Sequence, residues 1–254
     1  MPRELSMQDR GQTGFYGKMP DQGDFVSRRV AHVFVQHWDE WLQHCLTHCR
    51  TALAADWERL YRDAPVWRFL LAPGTCGAPA WAGLVQPSVD RVGRYFPLTV
   101  AAELPSDVEV LDTMVRASAW YEAIERIAAL AFDNQITVDG MERQLSAVAF
   151  PAHAIVHADS AEDTLPIAAR EVSALKVGCP NGSGLVNVGN ALREDQVSVG
   201  HDHCVWFNAN PGDVERVVLV TRSLPPSALS QALFDGRWAA HGWPSARSDA
   251  QIPV

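Results

Sequence analysis

The chain has 254 residues, of which 47 % are hydrophobic and 20 % charged, and its formal net charge is −9. Such a length fits one large domain or two small ones, and such a balance supports a buried core rather than a disordered chain. The negative charge works against general binding to nucleic-acid phosphates and against attachment to anionic membranes.

Residues 1–13 are polar and aperiodic and read as a flexible tail. The N-terminus has no apolar stretch that would serve as a signal-peptide core. No apolar run approaches the roughly 20 residues needed to span a bilayer, so a cytoplasmic protein is expected. Gly14–Lys18 reads as a short strand, followed by a turn through Pro20, Gly23 and Asp24. From Val30 to Leu53 the apolar residues Trp38, Trp41, Leu42, Cys45, Cys49 and Leu53 recur at three- and four-residue steps, which predicts a helix. A second helical piece, Asp56–Tyr61, ends before Pro65. Three strands are expected at Val66–Leu71, Trp81–Val85 and Tyr95–Ala102, joined by short Gly/Pro connections as in an antiparallel meander.

Asp107–Phe132 has the strongest helical pattern, with Asp107 as its cap. A short helix is expected near Met141–Val148, then a weak helix or strand near Ile167–Val177. Asn181–Gly184 reads as a turn. Cys204–Asn208 and Arg216–Val220 read as strands, and Pro226–Phe234 as a last helix before a tail from 239 to 254. With no repeats and no long linker, residues 14–238 are expected to form one α/β domain of the α+β kind. Its central sheet is largely antiparallel and flanked by helices.

Few residue patterns suggest catalysis. His44/His48 and Cys45/Cys49 are i, i+4 pairs, a spacing at which two side chains share one metal. The cysteines, however, fall on the apolar stripe with Trp38 and Leu42, where free Cys is a small hydrophobe. His201 and His203 would point to one side of a strand without a third ligand. Gly17-Lys18 is not a phosphate loop, because Gln12 stands at the first glycine position and Met19 replaces the hydroxyl residue. No G-x-S-x-G elbow is present. Five scattered cysteines do not make a disulfide framework. No cofactor or metal is expected, and the chain reads as a non-enzyme. The nine tryptophans read mainly as core, with Trp67 and Trp81 as candidates to line a partner groove.

Two segments carry a family resemblance. The first is Gly14-Phe15-Tyr16-Gly17-Lys18-Met19-Pro20-Asp21-Gln22-Gly23-Asp24-Phe25-Val26, followed by Arg28-Arg29. The second runs from Pro65-Val66-Trp67-Arg68-Phe69 to Pro87-Ser88-Val89-Asp90-Arg91-Val92-Gly93-Arg94-Tyr95-Phe96-Pro97-Leu98. Together with Trp38 and Trp41 between them, they resemble the signature of the TagF (ImpM) family, strongly over residues 14–104 and loosely beyond Asp139. The resemblance implies a longin- or profilin-like sandwich. It also implies a bacterial, post-translational repressor of the type VI secretion system whose partner is an FHA-domain scaffold protein.

Read physically, Lys18, Asp24, Arg28, Asp90, Arg91 and Arg94 are charged residues set in Gly/Pro turns between apolar strands. Such turns commonly display binding groups. They are the candidate partner-binding residues. The alternative for Asp24 and Asp90 is that they cap turns and pair with Arg29 or Arg94. The competing functional classes are a metal-dependent enzyme built on the His/Cys helix and a structural accessory subunit of the secretion apparatus.

Overall fold

The computed structural model describes residues 11–158, 174–178, 199–200, 202–208 and 217–243. Its strands form one sheet in the order β2-β1-β5-β4-β3-β7-β8-β6, and every pairing is antiparallel. The strands are β1 (Thr13–Gly17), β2 (Val26–Arg28), β3 (Trp67–Leu71), β4 (Ala80–Gln86), β5 (Leu98–Leu104), β6 (Ala174–Gly178), β7 (Cys204–Asn208) and β8 (Val217–Thr221). The helices are α1 (His32–Leu53), α2 (Trp57–Arg62), α3 (Val110–Arg116), α4 (Ser118–Phe132) and α5 (Val138–Ser146). This is an α+β architecture.

Side chains alternate across each strand, and helices cover both faces. Leu70, Leu84, Val100, Val205 and Val218 face α3, α4 and α5, where they meet Met114, Tyr121 and Ile124. Trp67, Phe69, Trp81, Trp206 and Leu219 face α1 and α2, where they meet Phe34, Trp38 and Tyr61. An antiparallel sheet usually leaves one face to solvent. Here both faces are buried, so β3 and β4 are apolar at nearly every position. Trp67 and Trp81 belong to this core rather than to an open groove: they are 5 % and 1 % exposed.

The long helical stretch expected from Asp107 to Phe132 is broken at Ala117. The two pieces have separate anchors. On α3, the Thr113 hydroxyl accepts from the Val156 amide at 2.9 Å. On α4, the Tyr121 hydroxyl donates to the Phe69 carbonyl at 2.7 Å and the Trp120 indole donates to Thr13 at 3.2 Å. The cap is Glu109, whose carboxylate accepts from the amides of Leu111 and Asp112. Asp107 instead pairs with His157 at 2.9 Å.

Other boundaries shift for similar reasons. Thr13 is already strand, paired with Ala102, and the Gly11 amide donates to the Glu103 carbonyl. Helix α5 starts at Val138, because the Thr137 hydroxyl caps it by accepting from Gly140. Tyr95 forms an isolated bridge to Val89 rather than opening β5. The last helix expected, Pro226–Phe234, is two short turns, Ser227–Leu229 and Ala232–Asp235. Residues beyond 238 still pack: Trp243 is 4 % exposed and its indole donates to the Leu229 carbonyl at 2.8 Å. Within 167–177, the described part is strand β6. The Asn181–Gly184 turn and His201 lie outside the described residues.

Candidate interaction surface

The two signature segments fold into adjacent loops at one end of β1 and β4. Gly17 closes β1 at φ +136, a backbone geometry that side chains with Cβ rarely adopt. A Cβ there would sit 2.1 Å from the Pro97 carbonyl oxygen, so the glycine lets β1 approach the strand opposite. Gly14 meets the same constraint, with the Arg28 and Arg29 carbonyls 2.4 Å from a hypothetical Cβ.

Asp90 is the hub of the surface. One carboxylate oxygen accepts from the amides of Val92 at 3.0 Å and Arg94 at 2.8 Å. The other accepts from Lys18 Nζ at 2.7 Å and Arg94 Nε at 2.7 Å. The Asp90 side chain is fully buried and that of Lys18 is 6 % exposed, whereas Arg94 is 57 % exposed. Burial by itself pushes the carboxyl pKa up. The Lys18 ammonium, the Arg94 guanidinium and the two backbone amides outweigh that and hold it well below the usual carboxylate range.

The loops are stitched together by backbone contacts as well. The Ser88 hydroxyl donates to the Lys18 carbonyl at 2.7 Å, and the Arg91 amide donates to the Gln22 carbonyl at 2.9 Å. Arg94 also donates to the Gly23 carbonyl. The Tyr61 hydroxyl donates to the Ser88 carbonyl and accepts from the Ser88 amide, which ties the loop to α2. Phe25 stacks on Tyr16, packs edge-on against Phe96 at 4.8 Å, and lies 5.1 Å from Lys18 Nζ.

The six sequence candidates therefore divide. Lys18, Asp90 and Arg94 form the ion-paired hub, with Lys18 and Asp90 inside and Arg94 at the rim. Asp24 and Arg91 are exposed on the two loops, and Asp24 accepts from the next amide, Phe25, at 2.8 Å. Arg28 is not at the hub. Its Nε donates to Glu142 on α5 at 3.1 Å, beside Arg29, which pairs with the other oxygen of the same carboxylate at 3.1 Å.

Sequence reading missed Phe25 and Val92, which are 44 % and 64 % exposed on these loops. Their signal was an apolar residue inside a turn otherwise made of Gly, Pro and charged groups. Together Asp24, Phe25, Arg91 and Val92 give the face two apolar side chains bracketed by one acid and one base.

The histidines and cysteines of α1 are divided between two sides. Cys45 and Cys49 are buried, with Cys49 Sγ 3.1 Å from the Ser230 hydroxyl. Burial raises their thiol pKa values to about 12 and about 11. His37 and His44 are exposed, and His48 lies 3.2 Å from the Gln231 amide. His203 is buried beside Asp202, with its Nδ1 2.8 Å from that carboxylate, and burial lowers its pKa. Among the described residues, no three His, Cys, Asp or Glu side chains are grouped to hold a metal ion. Among them also, no helix is long and apolar enough to cross a membrane.

No curated protein sequence matches the chain. Its fold is similar to the crystal structure of PA0076 from Pseudomonas aeruginosa PAO1, with a TM-score of 0.66 and 25 % sequence identity over 95 % of this chain and 97 % of that one. The family described as TagF N-terminal domain, type VI secretion system-associated, matches residues 14–148, which include both signature loops and the Asp90 hub. The chain belongs to the TagF family of type VI secretion system-associated proteins.

Proposed function

We propose that this protein is a cytoplasmic, post-translational repressor of type VI secretion that binds an FHA-domain scaffold protein. Its binding face is the pair of loops held by Asp90. The observation that carries this reading is the contrast within the hub: a fully buried carboxylate fixes both loops, while Asp24, Arg91, Val92 and the outer part of the Phe25 ring are exposed on top. A surface already ordered before contact loses less conformational freedom on binding, which favours affinity. Repression then works by occupancy, the scaffold being held away from the assembling apparatus.

The test is capture of the FHA-domain scaffold by the purified full chain, followed by the same capture with Arg91→Glu and Val92→Ser. Both side chains are exposed, so the fold should survive. Capture that is lost in both variants supports the face. Capture that persists unchanged in both overturns it, and absence of capture by the unaltered chain overturns the partner. Arg94 is a poor probe, because its guanidinium also neutralises Asp90.

A further inference from the structure

Helix α2 follows α1 through a strained link. Ala54, the residue after α1, has φ +45 and ψ −114, a backbone region that glycine occupies readily and alanine rarely. Among the described residues two other non-glycine positions have positive φ, and each has a reason that Ala54 lacks. Asn134 lies just past α4, and asparagine adopts that geometry more readily than most residues. Arg29 is held by hydrogen bonds to the Thr13 carbonyl and to Glu142. Ala54 is exposed and has no polar side-chain atom to hold it. Strain of this kind persists only where surrounding structure imposes it, and it collects at switch regions.

The packing of α2 is loose. Of its six residues only Trp57 and Tyr61 are buried. The Trp57 indole N–H is buried without an acceptor among the described residues, which works against the docked position. An apolar cavity of about 50 Å³ lies between Tyr61, Leu42 and Leu46 of α1, Trp67 and Phe234, so the side chains facing it lack contacts there. Yet α2 grips both ends of the loop that carries Asp90. At one end the Tyr61 hydroxyl donates to the Ser88 carbonyl at 2.9 Å and accepts from the Ser88 amide at 3.1 Å. At the other the Tyr95 hydroxyl donates to Glu58 at 3.0 Å and accepts from Arg62 at 2.9 Å.

We propose that α2 is a lever, hinged at Ala54, that sets the position of the Ser88–Tyr95 loop. In the docked state this loop is joined to the Lys18–Phe25 loop through Ser88, Arg91 and Arg94. In a minor released state Ala54 returns to negative φ and the Trp57 N–H reaches water. The two tethers then draw Ser88 and Tyr95 with α2, and the halves of the loop face separate. The proposal rests on the partner-binding reading of that face and supplies its regulation. A partner gripping both loops favours docked α2, and by linkage whatever releases α2 weakens the partner's grip.

The test is relaxation dispersion of backbone amides in the isotopically labelled full chain, which reads exchange with a minor state on the microsecond-to-millisecond scale. The amides from Ala54 to Asp63 and from Val89 to Arg94 should exchange at one shared rate. Ala54→Gly removes the penalty of a Cβ from the docked state and should lower the released population about threefold or more. That position is exposed, so the fold should survive. Tyr61→Phe combined with Tyr95→Phe keeps both rings and cuts both tethers. In that double variant α2 should go on exchanging while Val89–Arg94 falls silent. Flat profiles across α2 in the unaltered chain, an unchanged population in Ala54→Gly, or loop exchange that survives the double variant would each overturn the proposal. Scaffold capture run in parallel separates the two readings. Exchange without scaffold capture removes the scaffold and keeps the lever. Scaffold capture by a chain with flat profiles removes the lever and keeps the loop face.

Discussion

The two ion-paired clusters next to β1 and β2 are built from similar parts and do different work. In one, Lys18 and Arg94 surround a fully buried Asp90. In the other, Arg28 and Arg29 share Glu142, whose side chain is 36 % exposed. Both hold a loop or strand to a distant part of the chain. Only the first has taken an acid and a base, Asp90 and Lys18, out of water, so only there does loss of one of that pair leave an uncompensated charge inside the protein. The difference teaches that a salt bridge's contribution is set by its burial rather than by its length, since the distances are within half an ångström of each other.

The largest expected effect comes from breaking the buried cluster. Asp90→Asn keeps the side-chain volume but leaves Lys18 without its counter-charge. It should destabilise the fold by about 3–5 kcal/mol, read as a lowered midpoint in denaturant. Protons should do the same reversibly. The folded-state pKa of Asp90 lies below its ordinary value of about 4, so its contribution is fully present above that value and lost as pH falls further. Acid titration of stability should therefore be flatter in Asp90→Asn than in the unaltered chain. An identical slope would mean that other carboxylates govern acid unfolding.

Gly17→Ala tests whether the hub depends on the close approach of β1 to Pro97. A methyl group facing that carbonyl at a positive φ should cost about 1–3 kcal/mol. Glu142→Gln breaks the half-exposed cluster and should cost less than about 1 kcal/mol, an effect that salt should shrink further. Smallest of all, Arg91→Glu should leave the melting temperature where it was and change only partner capture. A large loss of stability there would move Arg91 from the binding face into the scaffold of the loop.

How far the sequence revealed these features depends on how local their causes are. Helix α1 and strands β3 and β4 were legible because their apolar residues follow the periods of helix and buried strand. The break at Ala117 was not, since no glycine or proline marks it and its cause is a pair of tertiary anchors, Thr113 to Val156 and Tyr121 to Phe69. Strand β2 was missed because three residues, Val26 to Arg28, carry too little pattern to separate from a turn. Among site residues, the charged positions were visible as motif members, and the Asp90–Arg94 pairing was readable as a local i, i+4 contact. Lys18 and Asp90 are 72 positions apart, and Arg28 and Glu142 are 114 apart. No local signal links such pairs, and so Arg28 was grouped with loops from which the fold separates it.

The pairing of β3 with β7 has a consequence for synthesis. The sheet's centre joins Trp67 to Asn208 and Leu70 to Val205, so one edge of β3 waits for strands made much later. At about 5–20 residues per second, the wait is on the order of ten seconds. During it, the nascent chain presents an apolar strand edge able to pair with any other extended chain. Helices α1 and α4 can cover the two faces of β3 during that wait, but its edge stays open until β7 is made.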